Sequence, residues 1–355
     1  MSRRFFDRLL FLALDVAIAL SHPREILRFY RRSIAHGNWR LSVAAPRVAN
    51  AKFVWRKVFD HDPRFTIVSD KLAAKDFVRD MGIAVEMPQT LWTGRPEDIP
   101  EAMLGADVVI KTTHGWSTNL FPARDGLSRD EVRDGIRRAM AQRHGRRNNQ
   151  WAYYDIRPRL FVEDRVDKRA DLVDLKIYVY GGLAVRVLPI RTIAGNERVA
   201  AVWLRDEKGT WTRSDQPSGV SPKVVDDAPL PPATDAALEI ASHIGALFDQ
   251  LRVDFLVTGG ALYLGEITVY SESGILVGGF SMATDPSRFW DIRRSWFLNT
   301  THEGWKGVYA RALARFCARE ARRRPGLNAA GPLPVEDFHR SLALARRLQD
   351  EVTAR

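Results

Sequence analysis

Cysteine is nearly absent: the chain of 355 residues has one, Cys317. A single thiol can neither close a disulfide framework nor build a cysteine-based zinc site, and the chain fits a reducing compartment. Long apolar runs are missing too. The N-terminal apolar stretch, residues 9–20, is interrupted by Asp15 and is too short to cross a bilayer as a helix. His22-Pro23-Arg24-Glu25 follows it, where a signal peptide would need small residues. There is no internal repeat and no low-complexity tract. Neither a GxxxxGK[ST] loop nor a kinase signature is present, which removes the two commonest ATP motifs. No basic–aromatic RNA-binding signature occurs, so nucleic acid is not an expected partner.

What is present is an ordinary globular balance, 45% hydrophobic and 27% charged. The length suits one large domain or two to three subdomains sharing a core. The 54 Lys+Arg outnumber the 43 Asp+Glu, for a net charge of +11. The excess lies in arginine runs such as Arg137-Arg138, Arg146-Arg147 and residues 319–324. Such runs read as solvated helix faces. A basic surface meets anions: nucleotides, acidic sugars or an anionic membrane. Residues 4–33 read as one or two amphipathic helices broken near Pro23. They either pack on the body of the protein or rest on an anionic membrane surface.

Along the chain, Asp70 is a good N-cap for a short helix starting at Lys71. Residues 107–111 read as a buried strand entering a small, polar loop over 112–119. Ser128 and Glu131 form a capping box for a helix over 128–143. Residues 159–163 and 175–180 read as strands, the second turning at Gly181-Gly182 into 183–191. Residues 216–232, rich in Pro, Ser and Asp, read as an exposed connection. Leu238, Ala241, Ile244, Phe248 and Leu251 fall at helical spacing over 235–251. Strands over 253–257 and 261–270 flank the turn Thr258-Gly259-Gly260, and helices occupy about 305–323 and 335 to the end. Helices and antiparallel hairpins mixed without regular βαβ alternation predict an α+β fold of facing subdomains. The expected divisions are a basic helical arm (1–50), a small subdomain (51–105), a subdomain with a lid loop (106–180), a subdomain with a metal site (181–298) and a basic helical tail (299–355).

Phosphoryl transfer needs cations at the phosphates, carboxylates for Mg²⁺ and exclusion of water. Asp254 and Glu266 sit on the two arms of a tight hairpin, each inside an apolar run, and a buried carboxylate is costly unless paired or metal-bound. They share a face only if the loop holds an odd number of residues, which makes them diagonal neighbours able to share Mg²⁺. The bland alternative is a local cap or salt bridge. Lys111 ends a buried strand at the small-residue loop and can reach a phosphate there. Lys176 and Asp174 share a strand face by period two. Arg191 ends the next strand, with Arg186 earlier on it. His114 is a candidate base or phosphate donor.

Together these stretches resemble the ATP-grasp superfamily, and more narrowly the TupA-like group named for teichuronopeptide biosynthesis. The resemblance covers about residues 48–298. It rests on Val54-Trp55-Arg56-Lys57 through Asp70-Lys71 and on to Val78, Val109-Ile110-Lys111-Thr112-Thr113-His114-Gly115, Ile156 through Glu163, Asp174-Leu175-Lys176, Val253-Asp254 through Val257, and Gly265-Glu266-Ile267-Thr268. It implies an ATP-grasp fold, in which two α+β subdomains clasp ATP. Lys71 and Lys111 then match the phosphate-side and adenine-side lysines. Glu163 and its neighbour Val162 match the hinge strand at the adenine edge, and Asp174 lies near the ribose or a second metal. Lys176 and Arg191 face the γ-phosphate and acyl-phosphate, with His114 beside them. Asp254 and Glu266 hold Mg²⁺, with Thr268 where most members have Asn. Loop 112–119 acts as the lid, bringing Gly115 and Ser117 to the nucleotide. The implied activity is a carboxylate–amine ligase working through an acyl-phosphate on a surface polysaccharide or its precursor. It would act in the cytoplasm, in contact with the inner face of the membrane. The alternatives are a phosphotransferase on the same fold and a non-catalytic basic protein peripheral to the membrane.

Overall fold

The computed structural model describes residues 3–35, 42–166, 171–193, 197–206, 208–214, 224–225, 227–274 and 288–354. The chain opens with two helices, α1 (Arg3–Ser21) and α2 (Pro23–Ala35), divided where Pro23 can begin a helix but not continue one. One face of α1 packs on the body. Phe11 meets Tyr309 and Phe316 edge-on, and Arg315 pairs with the buried Asp7 at 2.5 Å. Asp15 accepts the N–H groups of Val43 and Ala44 at 2.8 and 2.9 Å.

Helices α3 (Ala49–Val58), α4 (Pro63–Ser69) and α5 (Lys71–Asp80) follow. α3 is so deeply placed that Arg56 and Lys57 are buried, which is tolerable only with partners. Arg56 pairs with Asp249 at 2.6 Å and Lys57 with Glu25 at 2.6 Å. Asp62 caps α4, and Asp70 caps α5 by accepting from the N–H groups of Leu72 and Ala73.

A three-stranded antiparallel sheet comes next, from β1 (Thr90–Gly94), β2 (Val108–Thr112) and β3 (Leu160–Asp164), in the order β1-β3-β2. Helix α6 (Arg129–Ala141), with the expected capping box at Ser128 and Glu131, closes a small separate core containing Ile110, Val132, Ile136 and Val162. The main sheet contains β4 (Val173–Tyr180), β5 (Leu183–Thr192), β6 (Arg198–Ala200), β7 (Val202–Arg205), β8 (Trp211–Ser214) and β9 (Val224–Val225). After α7 (Thr234–Ala246) it is completed by β10 (Leu251–Thr258) and β11 (Ala261–Thr268). The order is β11-β10-β4-β5-β6-β9, with β7 paired to β5 and β8 to β7. Leu175, Ile177, Val179, Val253 and Phe255 form its buried apolar layer, and α7 lies against β4, β5 and β10. By period two, the even-numbered residues of β4 and β10 face the other way.

Helices α8 (Trp296–Asn299), α9 (Gly304–Arg323) and α10 (Val335–Ala354) finish the chain, with α10 packed on α4 and α5. Mixed helices and antiparallel sheets make the fold α+β, as expected.

Two expectations need correction. β1 pairs with β3, and β4 pairs with β5, so the two sheets cut across the boundaries expected at 105/106 and 180/181. The helix expected over 235–251 ends at Ala246, because Leu251 already opens β10. The expected connection over 216–232 lies largely outside the described residues.

Candidate functional site

The β10–β11 hairpin turns on Gly259 and Gly260, both at positive φ (57° and 82°), the backbone that a tight two-residue turn requires. Pairing runs from Thr258↔Ala261 to Phe255↔Leu264 and then steps to Asp254↔Glu266, leaving Gly265 as a bulge. The odd residue is therefore in the strand and not in the loop. Asp254 and Glu266 are directly opposed instead of diagonal. A Cβ on residue 265 would stand 3.2 Å from the Asp254 carbonyl oxygen, which favours glycine there.

On its other edge Asp254 opposes Lys176, so Lys176, Asp254 and Glu266 form one row across three strands. Lys176 donates to Asp254 and to Asp174, both at 2.9 Å. Arg252, two residues before Asp254, grips it bidentately at 2.6 and 2.6 Å, and also reaches Glu266 at 3.3 Å and Thr268 at 3.1 Å. Burial pushes the Asp254 carboxyl up, but Arg252 and Lys176 outweigh it and hold the group at about 2. Burial works against the charge on Lys176, and Asp254 and Asp174 more than reverse that, raising its pKa. Asp254 is thus an anion throughout the working pH range.

A cavity of about 240 Å³ opens between the two sheets, walled by Val109, Ile190 and Leu256 and edged by Lys111, Glu163 and Asp174. Burial alone would raise the Glu163 carboxyl, but Lys111, at 2.5 Å, and Lys75 draw it below its ordinary value. Lys71, at the start of α5, sits beside Glu266 at a narrower opening shared with Gly115. Its N–H donates to the Thr113 carbonyl at 3.0 Å, and its ammonium donates to the Gly115 carbonyl. Burial lowers the Lys71 pKa. The 112–119 loop is therefore tied to α5.

Gly115 lies at φ 72°, and a Cβ there would fall 2.0 Å from the His144 ring. His114 is buried, with Nε2 3.1 Å from the Gln142 carbonyl, and burial lowers its pKa. His144 is lowered to about 4, by burial first and then by His114 and Lys71. Ser117 is exposed at φ 58°.

The structure thus brings Lys71, Lys111, Glu163, Asp174, Lys176, Asp254, Glu266 and Thr268 around one cleft, with His114, Gly115 and Ser117 on its loop. It does not bring Val162 or Arg191. Val162 is buried in the small core, on the face opposite Glu163. Arg191 pairs with Val173 and Val199, one position out of phase with Ile190 on the cavity wall, and donates to the Pro229 carbonyl at 2.6 Å. Arg186 shares the Lys176 face instead, over the Tyr178 ring at 4.7 Å.

Sequence reasoning missed Arg252 and Lys75. The period-two rule that paired Asp174 with Lys176 also pairs Arg252 with Asp254. The helical i, i+4 rule pairs Lys71 with Lys75.

Two opposed carboxylates, a neighbouring hydroxyl and an adjoining cleft fit Mg²⁺, which binds through one or two carboxylates together with waters and substrate phosphates. Asp254 receives three hydrogen bonds and so keeps one of about four acceptor positions. No group of three or more His, Cys, Asp or Glu able to hold a metal ion by itself is found among the described residues.

A small sheet and a large sheet facing each other across a cleft of lysines and carboxylates define a nucleotide-clasping protein of the ATP-grasp kind. The family profile described as TupA-like ATPgrasp matches residues 51–284, well over half of the chain, and the chain belongs to that family. Among solved structures, the D-alanine–D-alanine ligase of Bacillus anthracis is 13% identical over 72% of this chain and 69% of that one, with a TM-score of 0.34. The Helicobacter pylori D-alanine–D-alanine ligase is 13% identical over 59% and 56%, at 0.34. The ATP-grasp ligase PsnB complexed with a minimal precursor is 13% identical over 75% and 67%, at 0.35. No curated protein matches the chain.

Proposed function

We propose that this protein is an ATP- and Mg²⁺-dependent carboxylate–amine ligase. In this reading it joins an amino acid or other amine to a carboxylate of a cell-surface polysaccharide or its precursor, in the cytoplasm against the inner face of the membrane. The observation that carries the ligase reading is the Lys176–Asp254–Glu266 row with Arg252 beside it, joined to the cavity edge by the Lys176–Asp174 bond. Val109, Ile190 and Leu256 suit a flat nucleobase, with Lys111 and Glu163 at its polar edge. Lys71 and Lys176 serve the phosphates. Asp254 and Glu266, assisted by Thr268, would hold Mg²⁺, which supplies charge neutralisation on the phosphate oxygens.

A carboxylate oxygen attacks the γ-phosphorus in line. The O–P bond forms as the bond to ADP breaks, giving an acyl-phosphate. The amine nitrogen then attacks the acyl carbon, the C–O bond to phosphate breaks, and the nitrogen loses a proton. Arg252 and Lys176 offset the charge on the transferring oxygens, and the chain's work is mainly positioning. The loop of Gly115 and Ser117 covers the phosphates and excludes water. The basic surface suits an acidic glycan.

Calorimetry with ATP, with and without Mg²⁺, on the wild type and Glu266→Ala tests this. At 100 times Kd, ATP should stabilise the protein by about 2.7 kcal/mol, and the variant should lose the Mg²⁺ dependence. A wild type that binds no ATP would sink the enzyme reading. Release of ADP on a carboxylate with no amine requirement would favour a phosphotransferase.

A further inference from the structure

Helix α1 has two apolar faces. Phe11 and Ile18 are buried against the body, whereas Phe5, Leu9, Leu12, Val16 and Leu20 stand exposed in a single ridge. Their spacing of three and four residues is that of one helix face. Leu12 is 62% and Leu20 79% exposed. Phe6 and, on α2, Leu27 add exposed apolar surface. An apolar ridge this long is not what a solvated helix keeps.

The acids around it are all engaged, and its remaining charges are arginines. Both acids of α1, Asp7 and Asp15, are engaged inward: Asp7 with Arg315, and Asp15 with the Val43 and Ala44 N–H groups. The other charged residues of α1, Arg3, Arg4 and Arg8, are exposed. Beside the ridge a groove of about 480 Å³ is lined by Leu12, by Arg4, Arg8, Arg47, Arg319 and Arg323, and by the engaged acids Asp7, Asp15 and Glu320. Glu320 in that groove is held by Arg47 at 3.1 Å. Arg4, Arg8 and Arg319 pair with no carboxylate among the described residues.

From this arrangement we infer that α1 is an interfacial anchor: its ridge enters the acyl boundary of an anionic bilayer, and the arginine groove beside it takes a lipid phosphate headgroup. This rests on the placement at the membrane proposed above and names the surface responsible. A bilayer suits the surface better than a second copy of the chain. A two-fold contact offers the same residues back, with Asp7, Asp15 and Glu320 already engaged, and so brings no carboxylate to Arg4, Arg8 and Arg319, whereas an anionic headgroup layer neutralises them. α1 does not cross the membrane: no described helix is long and apolar enough.

The test is flotation of the full chain, without nucleotide, on vesicles of phosphatidylcholine alone and of phosphatidylcholine with phosphatidylglycerol. Wild type is compared with Leu12→Glu/Leu20→Glu and with Arg8→Ala/Arg319→Ala. All of these side chains lie at the surface or partly so, and circular dichroism with a thermal melt verifies folding. The expected result is binding to the anionic vesicles only, weakened by salt. The ridge variant should bind at least tenfold more weakly. The arginine variant should lose about fivefold per residue. ATP binding by the ridge variant should be unchanged, which separates this result from the ligase reading. No binding to anionic vesicles would overturn both the anchor and the membrane placement. Undiminished binding by the ridge variant would overturn the anchor alone. A ridge-dependent dimer in sedimentation velocity, without vesicle binding, would assign the surface to a second copy.

Discussion

Asp254 accepts hydrogen bonds from Arg252 and Lys176 at a point where both cations are nearly out of water. Removing its charge strands them. Asp254→Asn should therefore destabilise the fold by about 3 kcal/mol, as breaking a buried pair does, and a urea melt would measure it. This loss is separable from the loss of Mg²⁺, because Glu266 is more exposed and makes fewer bonds, so Glu266→Ala should cost little stability. His144 gives a second prediction. Its pKa falls from 6.5 to about 4 in the fold, so between those values the unfolded chain binds the proton and the folded chain does not. Stability should decline as pH falls through that window. With allowance for the ring's partial exposure the loss is about 1 kcal/mol, and His144→Gln should remove it from stability measured against pH.

At the scale of elements, the 112–119 loop depends on a backbone that only glycine adopts easily. Gly115→Ala adds a Cβ at φ 72°, pointed into the His144 ring. A loss of about 1–3 kcal/mol is expected, with weaker ATP binding. His144→Ala in the same chain should restore part of it, and a double-mutant cycle by thermal melt would show the coupling. Much at this scale was legible in the sequence. Asp70 and the Ser128–Glu131 box marked helix starts, because caps act locally. Gly181-Gly182 and Gly259-Gly260 marked turns for the same reason. Asp174 and Lys176 were placed on one face by period two alone. Register was not legible: whether the odd residue of the second hairpin sat in its turn or at Gly265 depends on contacts across strands. Arg191, which ends its strand, was given its site role by the resemblance, although it and Arg186 differ in parity and cannot share a face. Val162 and Glu163 alternate likewise, and only Glu163 reaches the cavity.

At the scale of the whole molecule, the cleft draws on α5, the small sheet and the large sheet, and its outer support is the tail. α10 lies on α4 and α5. Arg64 is clasped between the Phe248 and Phe338 rings and donates to Ser341 at 2.9 Å. The sequence left the role of this tail open, because an amphipathic helix alone does not name the surface it covers. A chain ended after Pro334 exposes the seats of Phe338, Leu342 and Leu348. It should lose several kcal/mol, at about 2 for each, together with ATP affinity, since α5 carries Lys71; a urea melt and calorimetry would measure both.

The hairpin that carries Glu266 counts residues as well as using them. Gly265 is the single surplus residue between the turn and the carboxylate row. Were the ladder to run unbroken through it, Gly265 would oppose Asp254 and Glu266 would oppose Val253 in the layer beneath α7. A slip of that one residue in register would spare the composition, the turn and most of the apolar pattern, yet turn the carboxylate row into the core.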